Sequence, residues 1–311
     1  MSGTLESLNS LIMIFIMIIP GIILAKKNIL SIEQSEGISS IVANLTWPCL
    51  VVDAMQISFS KQILKDCGYA FVIMVVVFIA AFLLGLVLVK FLKMKKHQQY
   101  IFTFMLIFAN TGFMGIPVIN ALYGKEAVFY ASIVEMVNDI FLFTVGIMLL
   151  QMSVGANKKM NLKSLLSPGI IGVVIGFMLF LFNFKLPGFL GNSVSIIGAA
   201  TTPLTMIAIG LQIGRISIKE LLGDINMYIL SFVKLLIIPA IVFVIMIPLL
   251  GNVSVLSKVI IMEFAMPVAA CTTIFSQQYK GDVKFATKGV LLSTIFSIVT
   301  LPIFTIILSM F

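Results

Sequence analysis

Long apolar segments separated by short polar ones recur along the whole chain. Each is about 20 residues long, the length that an α-helix needs to cross the hydrocarbon core of a bilayer. The pattern therefore predicts an all-α polytopic membrane protein with ten transmembrane helices. We place these spans at 5–25, 35–56, 66–89, 99–122, 126–152, 164–184, 190–213, 225–250, 254–278 and 284–310.

Two of the predicted spans contain strong helix breakers in their middle. The stretch "FANTGFMGIPVI" puts Gly112, Gly115 and Pro117 inside the fourth span, and "FAMP" puts Pro267 inside the ninth. Proline removes a hydrogen-bond donor from a helix, and lipid supplies no replacement. Helices broken at mid-depth are typical of transporter binding sites, because their ends offer partial charges to an anion or a cation. We therefore predict that helices 4 and 9 are broken.

The second half of the chain faintly repeats the first. "YGKEAVF" before the fifth span is echoed by "YKGDVKF" before the tenth, and Tyr123 and Tyr279 are 156 residues apart. The breaker Pro117 has its counterpart in Pro267, 150 residues later. Five spans per half would give the second half the opposite orientation in the membrane. We therefore expect two inverted five-helix repeats, residues 1–155 and 156–311.

Positive charge is distributed unevenly between the predicted loops. Of the 20 Lys and Arg residues, fourteen fall on one side of the membrane and five on the other, and Lys234 lies within a span. Because cytoplasmic loops collect Lys and Arg, this predicts that both termini lie outside a cell membrane. The net charge of +8 then reflects topology, and we expect no nucleic-acid partner.

Composition also limits the chemistry available. The chain is 60% hydrophobic and 10% charged, far too apolar for a soluble protein. It has one histidine, His97, and three cysteines with no CxxC pair, so we expect no cofactor and no dedicated metal site. An intramembrane hydrolase using Asp53 and Asp139 is disfavoured, because neither aspartate lies in a GxGD context. We therefore predict that the protein is not an enzyme.

Several oxygen-bearing side chains lie deep within the predicted spans. Charged residues at this depth are costly and usually functional. Two neighbouring carboxylates, Glu135 and Asp139, suit either a proton carrier or a hard cation. We predict that these side chains form a coupling site for H⁺ or Na⁺. If the coupling ion is Na⁺, Glu263 and Asn110 are its candidate ligands. The members of this site are Asn110, Thr111, Ser132, Glu135, Asn138, Asp139 and Glu263.

Lys234 is the remaining charged residue at depth. It lies about ten residues into the eighth span, too far from the ends to reach the interface easily. Two roles fit its position: neutralising a buried carboxylate, or attracting an anionic substrate.

Three motifs bear on the family: "ANTGFMGIPVINALYG", "EFAMPVAACTTIFSQQYKGD" and "TTPLTMIAIGLQIG". They resemble the auxin efflux carrier family and its bacterial members, within the bile, arsenite and riboflavin transporter-like superfamily. The resemblance implies a scaffold of spans 1, 2, 6 and 7 that often forms a homodimer, and a transport domain of spans 3–5 and 8–10. It also implies elevator-type movement of organic anions, with spans 4 and 9 crossing at their breaks.

The resemblance places the substrate site at that crossover, at 110–117 and 264–269. The predicted substrate-binding residues are Asn110, Thr111, Gly112, Gly115, Pro117, Met266 and Pro267. Glu263 departs from the plant pattern and is more similar to the sodium–bile-acid symporters, so H⁺ and Na⁺ coupling both stay open.

The expected function is secondary active transport of small organic anions, such as carboxylates or auxin-like compounds. The alternative is a channel, or a membrane receptor or sensor, on the same fold. Conductance beyond carrier rates would indicate a channel, and binding without transport would indicate a receptor.

Overall fold

The computed structural model describes residues 2–155, 167–215, 223–250 and 254–310. All regular elements within these ranges are helical. The helices of the first half are α1 (Ser2–Lys26), α2 (Ile32–Ile41), α3 (Trp47–Ala54), α4 (Lys61–Phe91), α5 (Lys96–Ile107), α6 (Ile116–Phe141) and α7 (Ile147–Ser153). Those of the second half are α8 (Pro168–Leu181), α9 (Gly188–Ala199), α10 (Thr201–Gly214), α11 (Ile225–Phe232), α12 (Ile238–Leu250), α13 (Val255–Ala265), α14 (Cys271–Gln278) and α15 (Val283–Ser309).

Wider π-helical turns join several of these helices end to end. They are Val42–Thr46 between α2 and α3, Thr111–Gly115 before α6, Leu142–Gly146 between α6 and α7, and Val233–Ile237 between α11 and α12. Such turns are rare and often occur at functional sites. Two of them, Thr111–Gly115 and Val233–Ile237, contain residues of the predicted site.

Seven helical segments in the described chain are long and apolar enough to cross a membrane. They are Leu5–Lys26, Glu33–Ala54, Lys61–Phe91, Thr111–Ser153, Gly188–Gly214, Ile225–Met246 and Val283–Ser309. The protein is therefore a multi-pass helical membrane protein. The predicted fourth and ninth spans do not appear as single long helices, because each is interrupted. The count of ten spans and their inverted repeat stay predictions.

The boundary between the predicted spans 4 and 5 is a bend at Gly124. The segment Thr111–Ser153 is 43 residues long, but Gly124 within it has φ 76° and ψ −172°. Glycine adopts a positive φ of this kind readily because it has no Cβ, whereas other residues would be strained there. The bend falls where the sequence places a loop between two spans.

The chain divides into two compact units, each of which draws on both halves of the sequence. The first comprises Met1–Tyr69, Gly112–Met136 and Leu166–Ile216, and the second comprises Ala70–Thr111, Val137–Leu165 and Ser217–Phe311. The predicted division into residues 1–155 and 156–311 concerns repeats rather than compact units, and it stays a prediction.

Close contact between α1 and α10 dominates the first unit. A Cβ atom on Gly210 would overlap the backbone oxygen of Ile18, and one on Gly21 would overlap that of Ile207. Helices in lipid gain little from apolar burial alone, so small residues that let backbones approach are the usual basis of their association. The two glycines therefore set the distance between these helices.

An ion pair fixes the end of α3 in the same unit. The ammonium group of Lys125 lies 2.6 Å from a carboxylate oxygen of Asp53, and the hydroxyl of Ser195 donates to that oxygen at 3.2 Å. Lys125 is 60% exposed, so the pair adds little to stability. Asp53 is held in this network at the helix end.

The second unit is built around helices buried on all sides. Every residue of α5 from Ile101 to Ile107 is buried, and so is the stretch of α13 from Val259 to Ala265. Phe78 of α4 packs among three aromatic rings, with centroid distances of 5.9 Å to Phe108, 4.8 Å to Phe141 and 6.0 Å to Phe264. The residues that precede both interruptions therefore lie in the core of this unit.

Asp282 caps the start of α15. Its carboxylate accepts hydrogen bonds from the backbone N–H of Phe285 at 3.0 Å and from the side chain of Gln98 at 3.0 Å. His97 lies 3.6 Å from the same group. Burial acts to raise the pKa of Asp282, but the hydrogen bonds and His97 outweigh it and hold the pKa below its ordinary value.

The cap predicts a pH-dependent loss of stability. Because the folded state lowers the pKa of Asp282, its contribution is present above the ordinary pKa of about 3.8 and is lost as the pH falls through the folded value. Asp282→Ala is therefore expected to destabilise the protein by about 0.5–2 kcal/mol at neutral pH. Thermal unfolding in detergent should show this difference shrinking below about pH 4. A difference that is constant with pH would contradict the assignment, and Glu36→Ala, at an exposed position, is the control.

Candidate functional site

The two interruptions pair with each other through their backbones. The N–H of Asn110 donates to the carbonyl of Pro267 at 2.8 Å, and the N–H of Ala269 donates to the carbonyl of Phe108 at 3.1 Å. These bonds flank an antiparallel bridge between Ala109 and Val268. Non-helical backbone at membrane depth is tolerated where protein satisfies its polar groups. The pairing satisfies four of those groups at once.

A serine with no distinguishing signal in the sequence completes this pairing. The hydroxyl of Ser293 in α15 accepts a hydrogen bond from the N–H of Val268 at 3.1 Å. Ser293 is fully buried. Serines are common within membrane helices and usually bond to their own backbone, so a single sequence carries no signal for this role.

Proline explains the second interruption but not the first. Met266 precedes Pro267 and is extended, with φ −65° and ψ 150°, because proline disfavours the helical conformation in the residue before it. In the first interruption the chain is extended at Phe108, with φ −88° and ψ 120°. Helical structure resumes at Thr111, and Pro117 is the second residue of α6. The first interruption therefore lies at 108–110, N-terminal to the Gly112–Pro117 stretch on which the sequence prediction rested.

Lys234 contacts the end of the helix that leads into the first interruption. Its side chain is completely buried. Its ammonium group donates to the carbonyl of Leu106 at 2.9 Å and to that of Ile107 at 3.1 Å. These are the last two residues of α5, whose terminal carbonyls have no partner within the helix and carry partial negative charge. Neither role suggested for Lys234 by the sequence includes this contact.

Three of the predicted coupling-site residues line one narrow crevice in the second unit. Thr111, Asn138 and Glu263 form its polar part, and its apolar part comprises Met74, Phe78, Ile107, Ala109 and Phe264. Its lining residues leave no room for a sphere the size of a water molecule. Binding sites for small organic molecules usually enclose roughly 300–1,000 Å³. In this conformation the crevice therefore suits a bare cation or a proton rather than an organic anion.

Glu263 is the ionisable residue among those that line this crevice. Its side chain is 1% exposed, and the residue lies in the last turn of α13. The backbone N–H of Met266 donates to the backbone carbonyl of Glu263 at 3.3 Å. A carboxylate this deeply buried must be protonated or compensated by positive charge. The role of Glu263 in a coupling site stays a prediction.

The other predicted members are buried, but their positions differ. Glu135 and Asp139 are 6% and 8% exposed. Glu135 packs against Gly112, where an added Cβ would lie 2.6 Å from the carboxylate oxygen Oε1. Ser132 donates its hydroxyl to the carbonyl of Val128 at 2.7 Å, within its own helix. The hydroxyl proton of Ser132 is therefore used in a hydrogen bond within its own helix.

The predicted substrate residues all lie at or just after the interruptions. Asn110, Thr111, Met266 and Pro267 are buried there, as are Gly115 and Pro117 at the start of the following helix. Gly112 is half-buried beside Glu135.

The contact between Gly112 and Glu135 gives a testable expectation. Gly112→Ala should leave the fold intact, because a flexible carboxylate end can move away from the new methyl group. The displacement of Glu135 should slow transport by about tenfold, equivalent to about 1.4 kcal/mol. Gly37→Ala is the matched control, since no atom lies within 4 Å of a Cβ there. Transport rates in liposomes test this, and an unchanged rate for Gly112→Ala would remove Glu135 from the site.

Comparison with known proteins supports a role in transport. A family model described as "Membrane transport protein" matches residues 7–305. The chain is 26% identical over 305 residues to an uncharacterized transporter of Methanocaldococcus jannaschii, covering 95% of this chain and 97% of that protein. It is 21% identical over 305 residues to an uncharacterized transporter of Methanothermobacter thermautotrophicus, covering 97% of this chain and 98% of that protein.

Proposed function

Because the chain belongs to the membrane transport protein family, which is that of the auxin efflux carriers, we propose that it is a secondary active transporter of small organic anions. The observation that carries this proposal is the backbone pairing of the two interruptions at Ala109 and Val268. Interrupted helices that meet at depth create helix ends, and helix ends bind ions without requiring charged side chains.

The anion would bind beside the helices that start after the interruptions. The N–H groups at the start of a helix carry partial positive charge and attract carboxylates. Here these starts follow Asn110 and Ala269, in the turn Thr111–Gly115 and in α14. The proposed binding residues are Asn110, Thr111, Gly112, Gly115, Pro117, Met266 and Pro267. The class of substrate is a small carboxylate or an auxin-like compound.

A coupling cation or proton would occupy the crevice beside Glu263. Thr111 and Asn138 supply neutral oxygens there, and Glu263 supplies the negative charge. Hard cations such as Na⁺ prefer this kind of ligand, and a buried carboxylate also suits a proton carrier. Glu135, Asp139 and Ser132 belong to the wider proposed site. The sequence contains no GxxxxGK[ST] motif for a nucleotide, which favours a gradient as the energy source.

The proposed architecture follows the family resemblance. Ten spans would form two inverted repeats, residues 1–155 and 156–311. Spans 1, 2, 6 and 7 would act as a scaffold in a homodimer, and spans 3–5 and 8–10 would move as an elevator. The fourteen-to-five distribution of basic residues supports a position in the cell membrane with both termini outside.

Reconstitution in liposomes tests the proposed function. The purified protein would be tested for uptake and exchange of labelled carboxylates, including dicarboxylates and an indole carboxylate. Each substrate would be measured under a proton gradient, a sodium gradient, a membrane potential and no gradient, with protein-free liposomes as the control. Saturable uptake of at least one anion is expected. Absence of uptake and exchange for every substrate under all four conditions would refute transport of this class.

A further inference from the structure

The ammonium group of Lys234 occupies a position that suits a monovalent cation. Its two hydrogen-bond acceptors are the carbonyls of Leu106 and Ile107, at 2.9 and 3.1 Å. Both belong to the final turn of α5, directly before the extended Phe108. In carriers with broken helices, the carbonyls at such helix ends are the groups that coordinate a coupling cation. Here a side chain of the protein itself binds them.

The local structure holds this side chain firmly in place. Lys234 is 0% exposed and lies within the π-helical turn Val233–Ile237. The residues it reaches are 128 and 127 positions away in the sequence. An ammonium group has three donors and no acceptor, so it complements carbonyl oxygens as Na⁺ does, but it cannot leave.

We propose that Lys234 is a tethered cation that permanently occupies the carbonyl end of α5 and anchors the first interruption. The mobile coupling ion is then confined to the crevice of Glu263. Shortening the side chain creates a new site for small monovalent cations at the two carbonyls. This inference deepens the proposed function, but its test requires no transport and no substrate.

Chemical rescue of Lys234→Ala tests the proposal. The variant and the wild type would be purified in detergent with ethylammonium chloride, sodium chloride or choline chloride at equal ionic strength, or with ethanol at the same concentration as ethylammonium. The wild type is expected to melt at one temperature in all four. Lys234→Ala is expected to melt about 5–10 °C lower in choline. Ethylammonium should raise that temperature saturably, as mass action requires for a bound ligand, and sodium should raise it partly.

Two further variants separate charge from packing. Lys234→Met removes the charge but fills the space, so it should melt lower than the wild type and not respond to ethylammonium. Lys90→Ala, at an exposed position, is the matched control and should behave as the wild type. If Lys234→Ala yields no folded protein in choline, the readout becomes the yield of monodisperse protein. Recovery in ethylammonium then supports the proposal, and failure to recover overturns it.

Three results would overturn the tethered-cation assignment. The first is a melting temperature for Lys234→Met equal to that of the wild type. The second is rescue of Lys234→Ala by ethanol as effective as that by ethylammonium, which would show space filling alone. The third is a melting temperature of Lys234→Ala that no cation changes. None of these bears on whether the wild type transports anions, so the two proposals fail separately.

Discussion

Glu263→Gln is expected to remove the dependence of transport on a cation or proton gradient. The side chain is 1% exposed and lines a crevice with Thr111 and Asn138. Glutamine has nearly the same shape, so packing in the last turn of α13 is preserved. It carries no charge and takes up no proton, so it neither compensates Na⁺ nor acts as a carrier. The change isolates the charge of one residue.

The expected loss of cation affinity follows from the cost of leaving a buried cation without the carboxylate of Glu263. Losing an interaction of about 1.4 kcal/mol lowers cation affinity tenfold, and a buried charge pair is usually worth more when one partner is removed. We therefore expect a loss of at least about tenfold in cation affinity. Uptake under the gradient that drives the wild type should fall to the rate without a gradient, while exchange of anions across liposomes without a gradient persists.

The matched control is Glu36→Gln, which changes an exposed glutamate of α2. Its transport should depend on the gradient as in the wild type. Melting temperatures of both variants would establish that neither is unfolded. Unchanged dependence on the gradient in Glu263→Gln would exclude this residue from the ion site and leave Glu135 and Asp139 as the candidate carboxylates.

Gly210→Ala is expected to prevent normal packing of α1 against α10. A Cβ atom at Gly210 would overlap the backbone oxygen of Ile18 and lie 2.9 Å from the Cα of Gly21. Backbone atoms cannot rotate away as a side-chain end can, so the helices themselves must separate. Overpacking costs about 1–3 kcal/mol and occasionally more. We expect at least the upper part of that range, since the contact involves two backbones.

Thermal unfolding and size-exclusion chromatography in detergent measure this effect. Gly210→Ala should lower the melting temperature strongly or yield aggregated protein. Gly68→Ala is the control and is expected not to lower the melting temperature. Gly68 lies in α4, and no neighbouring atom lies within 4 Å of a Cβ added there. Alanine there should stabilise the helix by up to about 1 kcal/mol. Equal stability of Gly210→Ala and the wild type would mean that the two helices are not held at backbone contact.

The sequence predicted most of the helical structure, because its signals are local. Apolar runs of membrane length identified the segments of the seven long helices, and Gly124 falls at the boundary expected between spans 4 and 5. The interruption before Pro267 was also readable, since proline acts on the residue directly before it. In the first half the same reasoning pointed to Pro117, several residues beyond the actual interruption at 108–110. Pro117 is accommodated in the first turn of α6, where a missing N–H costs little.

The candidate site was only partly predictable. Charged and polar side chains in an apolar chain stand out, so the sequence pointed to Glu263, Asn138 and Thr111, and all three are buried. Which of them share a crevice could not be derived, since helix rotation decides that. Ser293 and Phe78 were missed, because a serine or a phenylalanine within an apolar helix is ordinary.

By itself the sequence determined that this is a helical membrane protein with interrupted segments and buried charges. These properties depend on composition and on interactions over a few residues, such as helix periodicity and the steric effect of proline. The tertiary structure alone decided which atoms meet: the N–H of Asn110 with the carbonyl of Pro267, and the ammonium group of Lys234 with α5, 127 or more residues away. Such contacts depend on how whole helices pack against each other, and no local rule connects positions so far apart in the chain.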